Sequence, residues 1–357
     1  FKGVPYGYDQ RHRPVAYNLE QRNGIFGGMP GAGKSATVRT VVAGVVLDPT
    51  IRLMIFELKG IGDFAPFEPL CMKGMYGCGA DAATVQAAKS ALDWLEKETA
   101  RRGPLIAKYA AAGLSEDNKL TPAMVRKDSS LGPIVAVFDE FHEITRDKDA
   151  AEQLERRIKL GRALGIHIVL ATQRLDSKAV PIGIVSNVSN RVALAVPSHT
   201  ETELILGTGA YSRGARPNFF SPGVDQGWGY IDDEKQMRAV RNYYLTNKQL
   251  KAIVARALAM RGNVAIDAPR AEVRNILHDI AEVWTDGRTR ERWEDLVVAL
   301  ADRWPDVYGN RDARWVSDEA RSMANGALQS VNVNRSGSNR KGCDKAELDA
   351  SVARLAG

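Results

Sequence analysis

The sequence predicts an α/β core followed by a smaller, mostly helical domain that closes with a β-hairpin. Three observations carry that prediction. A Gly-rich loop, Gly27-Gly28-Met29-Pro30-Gly31-Ala32-Gly33-Lys34-Ser35, stands between an apolar Gly24-Ile25-Phe26 and a helix-like stretch over 36–47. Near-continuous apolar runs over 51–56, 134–138 and 166–171 each end in polar residues, the pattern of strands buried on both faces of a sheet. After Met260 those runs stop and helical spacing takes over.

Size and charge set outer bounds. The 357 residues suffice for one large or two to three ordinary domains, and 44% hydrophobic with 26% charged residues can bury a core and stay in water. A net charge of +6 fits a polyanionic partner. Cys71, Cys78 and Cys343 have the spacing of neither a zinc site nor a disulfide framework, which points to a reducing compartment. No apolar run reaches the roughly 18–20 residues that cross a bilayer. The chain begins at Phe1, not Met, so a piece of a longer protein is expected, with a membrane anchor upstream.

Taken in order, residues 1–22 read as short lead-in strands. The loop that follows matches G-x-x-x-x-G-K-[ST], with Gly28, Gly33, Lys34 and Ser35 at the fixed positions. A triphosphate needs many N–H donors converging on one place, and glycines keep side chains out of their way. The next helix aims its N-terminus at the same phosphates. Backbone from Gly28 through Met29, Pro30, Gly31, Ala32, Gly33 and on to Ala36 is expected to cradle ATP. Lys34 would reach the β- and γ-phosphates and Ser35 would ligate Mg²⁺.

The strand over 51–56 ends in Glu57-Leu58-Lys59, at the carboxyl edge where ligands of open α/β sheets gather. A helix is predicted over 81–102, stopped by Gly103-Pro104, with a polar loop over 113–132. The run over 134–138 ends in Asp139-Glu140. There Asp139 would support the metal and Glu140 would polarise the attacking water, with His142 a structural neighbour. A basic helix spans 149–164. The strand after it ends in Thr172-Gln173, where Gln173 can sense the γ-phosphate or the lytic water. A further strand at 191–196, a Gly/Pro-rich loop over 207–225, two closing strands and a helix over 247–260 complete a core at 23–260. Residues 261–269 read as a linker. Across 270–357, helices over 272–284, 288–304 and 316–329, a polar hairpin around Ser336-Gly337-Ser338 and a last helix from Lys345 outline a winged helix-turn-helix.

The Gly28–Ser35 loop, the Ile134-Val135-Ala136-Val137-Phe138-Asp139-Glu140-Phe141 run and Gly161-Arg162-Ala163-Leu164-Gly165-Ile166-His167-Ile168-Val169-Leu170-Ala171-Thr172-Gln173-Arg174 together resemble the motor domain of the FtsK/SpoIIIE family. Gly7, Asp9, Pro14, Val15 and Leu19 are similar to the segment before its P-loop, and the likeness covers roughly residues 4–245. Ser330-Val331-Asn332-Val333 and Lys341-Gly342-Cys343 resemble the winged helix of actinobacterial plasmid-transfer proteins of the TraB type. Glu57-Leu58-Lys59 departs from the family's Asp-Pro-Lys.

The resemblance implies a RecA-like core, hexameric rings, ATP-driven movement along double-stranded DNA and a location at the cytoplasmic face of a membrane. It implies an arginine acting across a subunit boundary, Arg162 first by its position and Arg191 second. In the tail, Arg321, Asn325 and Gln329 share one stripe of a predicted third helix and suit guanine and adenine edges, while Arg335, Arg340 and Lys341 in the wing would hold phosphate. Arg213 and Arg216 are weaker suggestions for phosphate contact in the motor. The rival readings are a type IV or VII secretion-like coupling ATPase that moves protein or single-stranded DNA, a non-catalytic DNA-binding regulator, and a metabolic kinase. The tail favours duplex DNA over the first and third, and the Lys34, Asp139, Glu140 set stands against the second.

Overall fold

The computed structural model describes residues 3–232, 237–262, 276–285, 287–325 and 327–356. Two compact units make up the chain, Phe1–Ala271 and Glu272–Gly357. The expected linker at 261–269 lies outside the described residues from 263 on, as do 272–275 of the expected helix over 272–284.

The first unit is built on one sheet. Its strands are β1 (Val4–Asp9), β2 (Pro14–Tyr17), β3 (Gly24–Gly27), β4 (Arg52–Glu57), β5 (Cys71–Cys78), β6 (Ile134–Asp139), β7 (Ile166–Thr172), β8 (Asn190–Ala193), β9 (Trp228–Asp232) and β10 (Met237–Asn242). They lie in the order β2-β1-β10-β9-β8-β3-β7-β6-β4-β5. The stretch from β8 to β5 is parallel, and β9, β10, β1 and β2 extend it antiparallel. The lead-in segment is thus an edge of the same sheet.

Period-two alternation sends side chains to two cores. Along β6, Ile134, Ala136 and Phe138 face one layer, which includes Leu92, Leu95, Leu154 and Ile158 from helices Ala82–Tyr109 and Lys148–Gly161. Val135 and Val137 face the other, with Val38, Val41, Leu250 and Val254 from helices Lys34–Val45 and Asn247–Met260. Burial on both faces explains why these strands read as unbroken apolar runs.

Helix Ala82–Tyr109 corrects one expectation, because it runs straight through Gly103-Pro104. Pro104 costs one backbone hydrogen bond, but tertiary contacts on both sides hold the helix. Arg102, wholly buried, donates to the carbonyls of Leu131 (3.3 Å), Gly132 (2.7 Å) and Leu164 (2.9 Å). One turn on, Ile106 packs with Met124 and Leu131. The segment expected as a polar loop over 113–132 also holds a short helix, Pro122–Lys127, capped by Thr121.

The second unit has a three-stranded antiparallel sheet, β11 (Arg290–Arg292), β12 (Val331–Arg335) and β13 (Ser338–Asp344), ordered β11-β13-β12. Helices Ile276–Glu282, Trp293–Arg303, Ala313–Met323 and Lys345–Ala356 pack with it around Leu277, Trp293, Leu296, Leu300, Val316 and Leu348. Two boundaries differ from expectation. Residues 290–292, expected inside a helix over 288–304, form β11, because Glu291 turns into the core to meet Arg288 and Arg335 while Arg290 and Arg292 flank it. The third helix begins after Asp312, whose carboxylate caps Trp315 N–H at 2.7 Å, and ends at Met323 instead of reaching 329. Asn325 then adopts a left-handed φ of 49°, a common way for a helix to stop.

Candidate active site

Register puts the ends of four strands level. Gly27 pairs with Thr172, Ala171 with Asp139, and Asp139 with Glu57, so β3, β7, β6 and β4 all open onto one edge of the sheet. The Gly-rich loop leaves β3 at that edge and enters helix Lys34–Val45. Gly33 sits at φ +92°, and a Cβ there would lie 3.0 Å from the Gly227 nitrogen, so only glycine fits without strain.

Segment 217–227, expected only as a long loop, lies on this Gly-rich loop. Gly223 N–H donates to Gly31 O (3.2 Å) and Gly227 N–H to Ala32 O (3.0 Å). Behind it, the Thr37 hydroxyl donates to Asn242 Oδ1 at 2.9 Å, tying the start of the helix to the end of β10. Met29, Pro30 and Ala36 stand in the same loop and first turn, as read from the sequence.

The charged groups converge under the loop. Lys34 Nζ contacts Asp139 Oδ1 and lies 3.0 Å from Glu140 Oε1, and all three side chains are buried. Glu140 takes a left-handed φ of 57°, an uncommon conformation for a side chain of its kind, which aims its carboxylate back at Lys34. Its Oε2 accepts from the backbone N–H of Gln173 at 2.9 Å. His142 Nδ1 lies 3.3 Å from the same oxygen and shares a hydrogen bond with Thr172 Oγ1 at 3.1 Å, while Nε2 lies 3.0 Å from Glu143 Oε1. Burial alone would raise the Glu140 carboxyl, but His142, Lys34 and the Gln173 N–H more than offset that and bring it to about 2.

Two residues escaped the sequence reading. Lys59 Nζ donates to Ser35 Oγ (2.7 Å) and pairs with Asp139 Oδ2 (2.9 Å) and Asp63 Oδ2 (2.8 Å). Glu57, wholly buried, accepts from the N–H groups of Ile61 (2.9 Å), Gly62 (2.8 Å) and Phe64 (3.1 Å), which fixes the loop carrying Lys59 and Asp63. Their position after a buried strand at the carboxyl edge was the available signal.

These groups suit a divalent cation bound with nucleotide. Asp139 Oδ2 and Glu140 Oε1 are buried oxygens with ion-pair neighbours but no hydrogen bond, and the Ser35 hydroxyl lies beside the first through their shared Lys59. Among the described residues no cluster of three or more His, Cys, Asp or Glu could hold a metal by itself.

Arg162 and Arg191 stand elsewhere. Arg162 precedes β7, at the sheet edge opposite the loop, whereas Arg191 in β8 pairs with Ile25 and so lies level with Leu170, two residues short of the loop edge. The seven residues of β7 separate the two edges by about 20 Å. Both arginines line a cleft of about 340 Å³ with Lys159, Ser189 and Asp232, and Arg162 donates to Ser189 Oγ at 2.9 Å. Arg216 stacks over the Tyr211 ring at 3.7 Å and Arg213 lies 3.5 Å from Asp232, so both serve the loop's own structure.

In the second unit the expected stripe does not form. Arg321 is on helix Ala313–Met323, but Asn325 and Gln329 lie beyond its end, and the Gln329 N–H donates to Glu347. Arg335 is also corrected. It pairs with Glu291 (2.8 Å) and Asp295 (2.9 Å), and its guanidinium is spent inside the fold. Arg340 and Lys341 on β13 stay at the surface, beside Arg314 and Ser317, in a cleft of about 420 Å³.

Residues 1–177 match the FtsK/SpoIIIE family model. The DNA translocase SftA of Bacillus subtilis (strain 168) is 26% identical over 206 residues, 56% of this chain and 21% of that protein. The DNA translocase FtsK of Corynebacterium glutamicum is 26% identical over 263 residues, 69% of this chain and 27% of that protein. The chain therefore spans only 21–27% of the length of these curated relatives. Among solved structures, the pCW3 conjugation coupling protein TcpA, in a monomer form with ATPgS, has a TM-score of 0.58 at 20% identity, over 73% of this chain and 71% of that one. The cytoplasmic domain of the Thermomonospora curvata Type VII Secretion ATPase EccC has a TM-score of 0.57 at 21% identity, over 82% of this chain and 33% of that one. At such identities the structural likeness speaks for the fold.

Proposed function

The chain belongs to the FtsK/SpoIIIE family through its first 177 residues and carries that family's P-loop ATPase domain; from that premise we propose that it is the motor part of an ATP-driven double-stranded DNA translocase. The observation that carries this reading is the meeting of Lys34, Asp139 and Glu140 with the Gln173 N–H at the edge where the Gly-rich loop opens.

In this reading the loop N–H groups and Lys34 bind the β- and γ-phosphates of ATP. Ser35 and Asp139 would hold Mg²⁺, which would offset the negative charge of the phosphates. Binding phosphate draws Lys34 off Glu140, so the carboxylate loses an ion pair and becomes the base for water. Gln173 N–H keeps it aimed, and the end of β7 feels its state. Arg162, at the far edge, cannot serve its own site and suits the site of a neighbouring subunit in a ring, with Arg191 the second candidate.

In this reading the second unit is a winged helix, with helix Ala313–Met323 as its recognition helix and the β12–β13 hairpin as its wing, a reading supported by helices Ile276–Glu282, Trp293–Arg303 and Ala313–Met323 preceding that hairpin. We take Arg321 as a base-reading candidate and Arg340 and Lys341 as phosphate contacts, which suits reading of duplex repeats as in TraB-type plasmid transfer. A membrane anchor and ring assembly belong to this proposal for the whole protein.

The test is steady-state ATP hydrolysis with long linear duplex DNA beside single-stranded DNA at equal phosphate. Strong stimulation by duplex alone is expected. Turnover indifferent to either DNA, from protein sized as a ring, overturns the reading in favour of a coupling ATPase that moves protein.

A further inference from the structure

We propose that Lys59 is a built-in cation: its ammonium holds the metal position between Ser35 and Asp139 before nucleotide arrives, and it must swing aside for Mg²⁺ to enter. The inference rests on the reading of Ser35 and Asp139 as metal ligands.

Three oxygens surround the one nitrogen, Ser35 Oγ at 2.7 Å, Asp63 Oδ2 at 2.8 Å and Asp139 Oδ2 at 2.9 Å. A hydroxyl from the first turn of a helix and a buried carboxylate at the end of β6, bridged by one positive charge, is the arrangement a P-loop offers to a divalent ion. The side chain is 12% exposed, and Asp139 is wholly buried with Lys34 on its other oxygen. A divalent ion bound to the same two oxygens would lie within about 3 Å of the ammonium, where repulsion between unscreened charges forbids both together. Lysine and metal are therefore alternatives.

The loop is built for such an exchange. Glu57 pins the backbone of residues 61–64, so the strap stays while the four-carbon stem of Lys59 moves. Asp63, four residues along the turn and more exposed at 28%, keeps a partner within reach at the mouth of the site. The consequence is ordered loading. Metal alone meets an occupied position, whereas metal arriving with a triphosphate brings oxygens that draw Lys59 away.

The test reads metal binding directly. The nucleotide-free 357-residue chain is titrated with Mn²⁺ and free Mn²⁺ is followed by electron paramagnetic resonance. Wild type is expected to bind weakly, and Lys59→Met to bind about tenfold or more tightly, since one positive charge leaves a site rich in carboxylates. Lys59→Gln, which keeps a polar head, should gain likewise and stands in should the methionine variant fail to fold. Adding Asp139→Asn to either should abolish the gain. Folded variants with wild-type Mn²⁺ affinity overturn the proposal but leave the metal reading intact. A gain that survives Asp139→Asn overturns both. DNA stimulation of turnover enters none of these outcomes, so the translocase reading stands or falls separately.

Discussion

The backbone N–H of Gln173 donates to Glu140 Oε2 at 2.9 Å, which joins the end of β7 to the carboxylate that follows β6. The contact runs through the backbone, so any shift of β7 repositions Glu140 whatever side chain stands at 173.

Glu140→Gln keeps the geometry, because an amide oxygen still accepts from Gln173 N–H. It removes the negative charge that would take a proton from water. Binding of a fluorescent ATP analogue should persist, and turnover should fall by about 10²–10⁴-fold. Retained phosphate release in this variant would move the base elsewhere.

Arg162 and Arg191 line one cleft, and Arg162 stands before β7 at the edge opposite Glu140, which excludes Arg162 from its own subunit's site. Lys34→Ala should abolish nucleotide binding in its own subunit, and Arg162→Ala should lower turnover by about 10³-fold, the lower end of the range known for arginines supplied in trans. Mixing the two variants should restore part of the activity, because a ring of both contains intact pairs. Absence of rescue at every mixing ratio would remove Arg162 from this role and leave Arg191.

Much of this site could be read from the chain alone, for a physical reason. Lys34, Ser35, Asp139, Glu140 and Gln173 each stand at or just beyond the end of a strand buried on both faces, and such strands announce themselves as apolar runs. What could not be read depends on contacts across the fold. Helix Ala82–Tyr109 passes Pro104 because Arg102 is anchored by carbonyls from residues 131, 132 and 164. Arg335 is basic on a polar hairpin and so reads as a phosphate ligand, yet two carboxylates from β11 and helix Trp293–Arg303 consume it. Lys59 lies in the loop after β4 and Ser35 in the first turn of helix Lys34–Val45, and only the level ends of β3, β7, β6 and β4 bring them together.

Glu98 predicts an acid-labile core. Its buried carboxylate meets Arg52 (3.1 Å), Arg101 (2.7 Å) and Arg102 (2.9 Å). Burial raises its pKa, but the arginines outweigh burial and bring it to about 2, below the ordinary ~4.3 of glutamate. A depressed folded value means stability is present in full above the unfolded pKa and is lost as pH falls toward 2. Glu98→Gln should remove about 3–5 kcal/mol, the cost of leaving buried guanidinium charge uncompensated. Urea unfolding at pH 7 and pH 3 checks both statements, since wild type should weaken between the two and the variant much less.

In the second unit the proposed phosphate contacts can be told from a structural arginine. Arg340 and Lys341 are both exposed along β13, whereas Arg335 is held by an ion pair with Glu291 of β11. Each phosphate contact contributes about one unit to the slope of log K against log salt. Lys341→Ala should therefore weaken duplex binding alike on all sequences and reduce that slope by about 1, with melting unchanged. Arg335→Ala should instead destabilise the fold by about 1–3 kcal/mol, because Glu291 loses a partner while buried. Its salt slope should match wild type at temperatures where it is folded. Fluorescence anisotropy over a salt series, beside thermal melts of both variants, makes the distinction. An Arg335→Ala protein of wild-type stability whose salt slope drops would return that residue to the DNA interface.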